Sequence, residues 1–109
     1  MRQMAIGTTP YPLFRRTVRA LRIQQGWTQE QLAERAQGDY KHLQLIEIGQ
    51  TGLPSLDLVQ RLARALGTKP WILLCDDRDL IVRYTGIPAA ALSARGRRRP
   101  GRPKSRDQP

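Results

Sequence analysis

The sequence is poor in the residues that form disulfides and metal sites: its 109 residues include one cysteine and one histidine. Because Cys75 has no second cysteine to pair with, the chain cannot close an internal disulfide, which is typical of proteins kept in a reducing compartment. His42 has no neighbouring cysteine or histidine at the spacing that a zinc site requires. The sequence therefore predicts no metal site.

Catalytic motifs are missing as well. The chain has neither a glycine-rich phosphate loop nor the Gly-x-Ser-x-Gly turn of many hydrolases. Asp76, Asp77 and Asp79 place three carboxylates close together, but we interpret them as part of a solvated loop rather than a metal cluster. We therefore predict that the protein is not an enzyme and uses no cofactor.

Long apolar runs and acidic residues are also scarce. No stretch approaches the length of a transmembrane helix, and the N-terminus lacks the apolar core of a signal peptide. Nineteen lysines and arginines stand against nine acidic residues, which gives a formal net charge of +10. Such a charge implies a polyanionic partner, either DNA, RNA or an anionic membrane, and the membrane is the weakest choice.

The stretch from Thr28 to Gly49 has the pattern of two short helices joined by a tight turn. Thr28 and Asp39 can each cap a helix, because a side-chain oxygen there accepts from an otherwise unpaired backbone N–H. Helical spacing predicts these inward positions: Leu32, Ala33, Ala36, Leu43 and Ile46. The predicted outward positions of the second helix are Tyr40, Lys41, Gln44 and Leu45. This is the arrangement of a helix-turn-helix unit.

The stretch resembles the Cro/phage-repressor (Xre) family of helix-turn-helix regulators, and the match extends beyond the motif. The matching positions are Leu21-Arg22, Gly26-Trp27-Thr28-Gln29, Leu32-Ala33, Leu43, Ile46-Glu47, Gly49, Pro54, Ala65-Leu66-Gly67 and Trp71. They cover roughly residues 12–75. The resemblance implies an all-α, five-helix domain of the phage-repressor type.

One position departs from the family pattern. The family usually has glycine in the turn, where this chain has Gln37, and an apolar residue next, where it has Gly38. Glycine is favoured in such turns because it takes a positive φ without a Cβ penalty. We expect either that the turn shifts by one residue or that Gln37 carries mild strain.

The resemblance also implies roles for particular side chains. The base-reading positions of the second helix would be Asp39, Tyr40, Lys41 and Leu45. Gln29 matches a residue that holds a DNA phosphate in the family, and we expect His42 and Gln44 to bond the DNA backbone. Arg22 matches an arginine that pairs with the glutamate at Glu47, which predicts a structural ion pair.

The remaining helices follow from apolar spacing and capping residues. A first helix should run from about Pro12 to Gln25 with a buried stripe, and Arg15 and Arg16 lie off that stripe, on a face that is either solvated or in contact with phosphate. A fourth helix is predicted over 56–66, with this core face: Leu56, Val59, Leu62, Ala63 and Leu66. A fifth should end at Leu74, where Trp71 fits either core packing or a dimer contact.

Four divisions of the chain follow from these patterns. Residues 1–11 read as a flexible arm, 12–75 as the helix-turn-helix domain, 76–94 as a short extension that could bind another protein, and 95–109 as a basic tail. In the extension, the sequence Leu-Ile-Val-Arg-Tyr fits either a strand or a helix capped by Asp79.

The tail is dominated by basic residues between prolines and glycines. It should be disordered alone, because it has no apolar residues with which to form a core. Gly101-Arg102-Pro103-Lys104 resembles the AT-hook, a minor-groove binder, although Pro100 stands where that motif has arginine. We expect either an A·T preference or a general electrostatic role, carried by Arg97, Arg98, Arg99, Arg102 and Lys104.

These patterns predict a sequence-specific DNA-binding regulator, expected to be a repressor. It would act as a homodimer on double-stranded DNA, in the cytoplasm at the nucleoid. One alternative is an antitoxin or adaptor that binds a partner protein through 76–94. Another is a non-specific nucleoid-type or RNA-binding protein driven by the tail.

Overall fold

The chain is all-α in a computed structural model that describes residues 11–52 and 54–93. Those residues form six α-helices and one 3-10 helix, and they contain no strand. The helices are α1 (Phe14–Gln25), α2 (Gln29–Arg35), α3 (Tyr40–Ile48), α4 (Leu56–Leu66), α5 (Pro70–Leu74) and α6 (Arg78–Thr85), followed by the 3-10 helix (Ala89–Leu92). The predicted arm up to residue 10 and the predicted basic tail lie outside the described residues.

Short-range hydrogen bonds define the starts of α2 and α3. Thr28 Oγ1 accepts from Gln31 N at 3.1 Å, and Gln31 Oε1 accepts from Thr28 N at 2.8 Å, so the two residues form a capping box. Asp39 Oδ2 accepts from His42 N at 3.3 Å. Both caps lie at the residues that the sequence predicted, and α1 begins two residues after Pro12.

A single apolar cluster lies between the helices. Val18 of α1, Leu32 of α2, Val59 of α4 and Leu73 of α5 are completely buried in it. Helix α1 packs on α3, α4 and α5, while α2 packs on α3 and α4. Burial of this kind provides most of the favourable free energy of folding, at about 25 cal/mol per Å² of apolar surface.

Leu56 differs from the prediction, and the exposure of Trp71 excludes one of its two predicted alternatives, core packing. Leu56 is 63% exposed, and Leu58, at 9%, takes the inward position that the spacing had assigned to Leu56. Trp71 is 50% exposed rather than in the core, because its neighbours Ile72 and Leu73 fill the inward face of α5. Trp71 instead meets Tyr84 of α6 edge to face, with ring centroids 5.3 Å apart.

The segment after α5 is helical, and its apolar side chains join the main core. Asp77, not Asp79, caps α6, since its Oδ1 accepts from the backbone N of Asp79 at 3.0 Å and of Leu80 at 3.2 Å. The core cluster includes these side chains of the segment: Ile81, Ile87 and Leu92. The 3-10 helix packs on α1 and α6. The five helices predicted for the domain 12–75 are therefore α1 to α5, and α6 lies in the extension, where a helix was one of the two predicted alternatives.

Two features are absent from residues 11–52 and 54–93. No helix there is both long and apolar enough to cross a membrane. No group of three or more potential metal ligands occurs there. Cys75 is a free, partly buried thiol, and its Sγ accepts from Asp77 N at 3.4 Å.

Candidate nucleic-acid interface

The outward surface of α3 carries the side chains that the sequence assigned to base reading. Tyr40 is 38% exposed, Leu45 is 40% exposed, and Lys41 is also exposed. Asp39 lies just before them, with one carboxylate oxygen engaged in the helix cap. The first two turns of the helix thus present an aromatic ring, a cation and an apolar group to solvent.

His42 and Gln44 lie on the edges of this surface, and both are half-buried. Gln44 Nε2 donates to the Tyr40 hydroxyl oxygen at 3.3 Å, which links positions one turn apart on the same helix. Every hydrogen bond made by these side chains within the described part of the chain is local to α3. The side chains on the exposed face therefore make no hydrogen bond to another helix in the described part of the chain.

The C-terminal end of α3 has the opposite character, because Glu47 is buried in a hydrogen-bonded cluster. Arg22 donates from Nε to Glu47 Oε2 at 2.8 Å and from Nη2 to Oε1 at 2.9 Å. Gln29 Nε2 donates to the same Oε1 at 3.0 Å. The Glu47 side chain is 2% exposed and the Arg22 side chain 13%.

This cluster connects three helices at one carboxylate. Arg22 belongs to α1, Gln29 to α2 and Glu47 to α3, and Arg22 Nη1 also donates to the Trp27 carbonyl oxygen at 2.8 Å. The paired fork of the guanidinium matches the two carboxylate oxygens, which makes the interaction directional as well as charged. The cluster therefore fixes the end of α3 relative to α1 and the start of α2.

The two arginines near the start of α1 differ in their contacts. Arg15 is half-buried, and its Nη1 donates to the Glu47 carbonyl oxygen at 3.4 Å. A Cβ on Gly49, which has a φ of 79°, would come within 2.9 Å of Arg15 Nε. Arg16 Nη1 donates to the Pro12 carbonyl oxygen at 3.4 Å, within its own helical region. Arg15 therefore lies against the C-terminus of α3.

The turn between α2 and α3 keeps the family's register. Gln37 has the positive φ, at 57°, so the turn is not shifted and the strain falls on Gln37. A Cβ on Gly38 would lie 3.4 Å from Leu58 Cδ1, so Leu58 occupies the space beside the position where the family has an apolar residue. The direction in which α3 leaves the turn therefore depends on a non-glycine residue in the left-handed region.

Arg61 of α4, which the sequence reading did not single out, holds this turn. Its Nη1 donates to the Ala36 carbonyl oxygen at 3.0 Å and to the Gln37 carbonyl oxygen. Its Nε bonds Asp57 Oδ2 at 3.1 Å, one helical turn away. The i, i+4 spacing of Asp57 and Arg61 was visible in the sequence as a helix pair, but the contact with the turn was not.

Some of the predicted site residues contact one another in the structure, and others lie outside the described residues. Gln29 contacts α3 through Glu47, near the end of the helix opposite to Tyr40 and Lys41. The tail residues predicted to contact DNA lie outside the described residues. The described residues form a helical domain in which two capped helices, α2 and α3, meet at a tight turn. The second of them exposes a polar and aromatic face, as in the helix-turn-helix class of structure.

Comparison with known proteins agrees with this class. A family model described as a helix-turn-helix domain matches residues 13–70, more than half of the chain, so the protein belongs to the helix-turn-helix family. A crystal structure of a hypothetical transcription factor, NHTF, from Neisseria is similar at a TM-score of 0.61 and 21% identity. The similarity covers 74% of this chain and 92% of that one. At 21% identity this similarity supports the fold alone. No curated protein sequence matches the chain.

Proposed function

We propose that the protein is a sequence-specific DNA-binding transcriptional regulator of the Cro/phage-repressor (Xre) type. The observation that supports this most is the contrast within α3: Glu47 is locked into the domain while Tyr40, Lys41 and Leu45 face solvent. A helix that is anchored at one end and has a solvent-exposed outward face suits insertion into the major groove. The net charge of +10 suits the same partner.

Base readout would come from the first turns of α3. Lys41 can donate to guanine O6 and N7, and Leu45 can pack on a thymine methyl group. Asp39, with an oxygen outside its cap bond, can accept from a cytosine amino group. Tyr40 adds aromatic surface beside them. These contacts would set which sequence the protein prefers.

Phosphate contacts would set the register of the domain on the duplex. Gln29 uses one N–H of its amide on Glu47 and keeps the second for a phosphate oxygen. The other residues that we propose for the backbone are Arg15, Arg16, His42 and Gln44. Because Arg15 also bonds the Glu47 carbonyl, its contact with DNA would couple to the anchored end of α3.

A homodimer on a palindromic site is the assembly that we propose, with repression through occupancy of the site. The exposed edge-to-face pair of Trp71 and Tyr84 supports a protein contact at α5 and α6. The same pair would serve an adaptor or antitoxin that binds a different protein. Sedimentation of the wild type and of Tyr84→Ala separates these uses: loss of a dimer supports self-association, while an unchanged monomer favours a different partner.

Selection of bound sequences from a random duplex library tests the main proposal. We expect one enriched sequence, bound at least ~10³-fold more tightly than random duplex at physiological salt. Competition with random duplex and with RNA is the control. Equal affinity for all three nucleic acids would rule out sequence-specific regulation and favour a non-specific nucleoid-type or RNA-binding role.

The basic tail is proposed to add electrostatic affinity without changing the preferred sequence. Each phosphate neutralised on B-DNA contributes about −0.9 to the slope of log affinity against log salt. Removal of residues 95–109 should therefore weaken binding at low salt and flatten that slope by several units. Equal slopes for the full and shortened chains would contradict this role. Loss of a preference for A·T flanks would identify an AT-hook.

A further inference from the structure

A recess beside the helix-turn-helix turn, between α2 and α4, is lined by three arginines. Its volume is about 370 Å³, and it is lined by Arg35, Ala36, Gln37, Arg61, Arg64 and Ala65. That volume is near the lower end of the range for small-molecule pockets, so the recess suits a compact ligand or group. None of the three arginines belongs to the base-reading or backbone-contact residues proposed above.

Most of the positive charge in this recess is not balanced by the protein. Arg61 bonds Asp57, whose side chain is 75% exposed. Arg35 lies over the ring of Trp27, with its Cζ 4.3 Å from the ring centroid, and has no carboxylate partner within the described part of the chain. Arg64 is exposed, and residues 11–52 and 54–93 offer it no hydrogen bond or ion pair. Two guanidinium charges are thus left for an external anion.

We propose that this recess binds a phosphate group. Guanidinium groups present forked pairs of N–H donors that fit phosphate oxygens, and three arginines lining one recess favour a doubly charged anion. The phosphate can come from a small phosphorylated molecule or from the backbone of bound DNA. The DNA backbone as the source rests on the proposed function, while a small phosphorylated molecule as the source does not.

Occupancy of the recess would act on the turn that leads into α3. Arg61 is the side chain that donates to the Ala36 and Gln37 carbonyl oxygens, and it also lines the recess. A phosphate bound in the recess therefore lies beside the side chain that positions the turn. Any free-energy coupling between phosphate and DNA would be reciprocal, since each ligand changes the affinity of the other by the same factor.

The first experiment titrates the full chain with sodium phosphate in the absence of DNA. Trp27 fluorescence is the readout, because Arg35 stacks on that ring, and Trp71→Phe removes the second tryptophan signal. Sodium chloride at equal ionic strength is the baseline. We expect a saturable change with phosphate only, weakened about tenfold by Arg64→Gln, since a hydrogen-bonded charge is lost.

Arg83→Gln is the matched control. Arg83, like Arg64, is an exposed arginine in the last turn of its helix, so both variants lose one charge in a similar position. The second experiment measures duplex affinity of both variants against salt. If DNA supplies the phosphate, Arg64→Gln weakens duplex binding and reduces the salt slope by about 0.9, while Arg83→Gln does not.

A saturable, Arg64-dependent response to free phosphate with unchanged duplex binding assigns the recess to a small phosphorylated molecule. An Arg64-dependent loss of duplex affinity, with or without a response to free phosphate, assigns it to the DNA backbone. If Arg64→Gln and Arg83→Gln behave alike in both experiments, the phosphate site is wrong. If no variant binds duplex at all, the proposed DNA-binding function fails, and the titration without DNA still decides the recess.

Discussion

The two ends of α3 are held in different ways. At its C-terminal end, Glu47 accepts three hydrogen bonds from two other helices and is almost completely buried. At its N-terminal end, Asp39 caps the helix, Gln44 reaches Tyr40, and Lys41 is exposed. The polar side chains at the first end bond to other helices, and those at the second end bond only within α3 and its cap.

This difference shows how one short helix can have a fixed orientation in the domain while its exposed side chains remain free to change. The contacts of Glu47 fix the axis of α3 without using the exposed face. Side chains at the other end can then change with little effect on folding, because surface substitutions away from such contacts usually change stability by less than about 0.5 kcal/mol. The following variants test whether the two ends are as separate as the geometry indicates.

The largest effect is expected at the anchored end. Glu47→Ala should lower the free energy of unfolding by about 3–5 kcal/mol, because Arg22 would be left as an uncompensated, mostly buried charge and Gln29 would lose its acceptor. Urea denaturation followed by circular dichroism measures this. Glu34→Ala, an exposed carboxylate on α2, is the control. A free energy of unfolding equal to that of the wild type would show that the Glu47 cluster does not stabilise the fold.

At the exposed end, the expected effect is on binding and not on folding. Lys41→Ala or Tyr40→Ala should cost about 1–3 kcal/mol at particular base pairs of the selected site, with an unchanged unfolding midpoint. Titration against the selected duplex and against single-base variants of it measures this. If both variants bind every duplex with wild-type affinity, α3 is not the reading helix.

A substitution in the turn before α3 should raise the stability of the domain. Gln37→Gly removes the Cβ penalty at φ 57° and should raise the stability by about 1 kcal/mol, although a more flexible unfolded chain offsets part of that gain. Thermal unfolding of both proteins in one buffer measures the difference. A lower stability would mean that the contacts of Arg61 already relieve the strain at Gln37.

The smallest effect is expected at a site remote from the exposed face. Thr17 of α1 is completely buried, and residues 11–52 and 54–93 give its Oγ1 no hydrogen-bond partner. Thr17→Val keeps the shape and removes that unsatisfied hydroxyl, so stability should rise by up to about 1 kcal/mol with unchanged DNA affinity. Chemical denaturation and duplex titration together check it. A destabilised variant would indicate that the hydroxyl has a partner in solution.

The parts of the fold that depend on local chemistry were predictable. The caps at Thr28 and Asp39 follow from side chains that bond the next turn of the same helix. The bounds of α4, Leu56–Leu66, follow from a serine before the helix and a glycine after it. The all-α class was confirmed, and the pairing of Arg22 with Glu47 was anticipated from the family resemblance rather than from spacing.

The parts that depend on which neighbour lies beneath a helix were not predictable. Leu56 and Leu58 sit at the two edges of one apolar stripe, and only the packing of α4 on α2 decides which edge is buried. Arg61 is an ordinary helix-pair residue in the sequence, since its target carbonyls are 24 and 25 positions away. For Trp71, the spacing fitted both a core and a surface position.

The burial of Ile81, Ile87 and Leu92 in the same cluster as α1 makes the segment after Cys75 part of one cooperative unit. The match to the helix-turn-helix family ends at residue 70, so the unit of sequence similarity is shorter than the unit that should unfold together. Amide exchange would show this as equal protection for Ile81 in α6 and Val59 in α4. A faster-exchanging Ile81 would instead mark the C-terminal helices as an independently opening foldon.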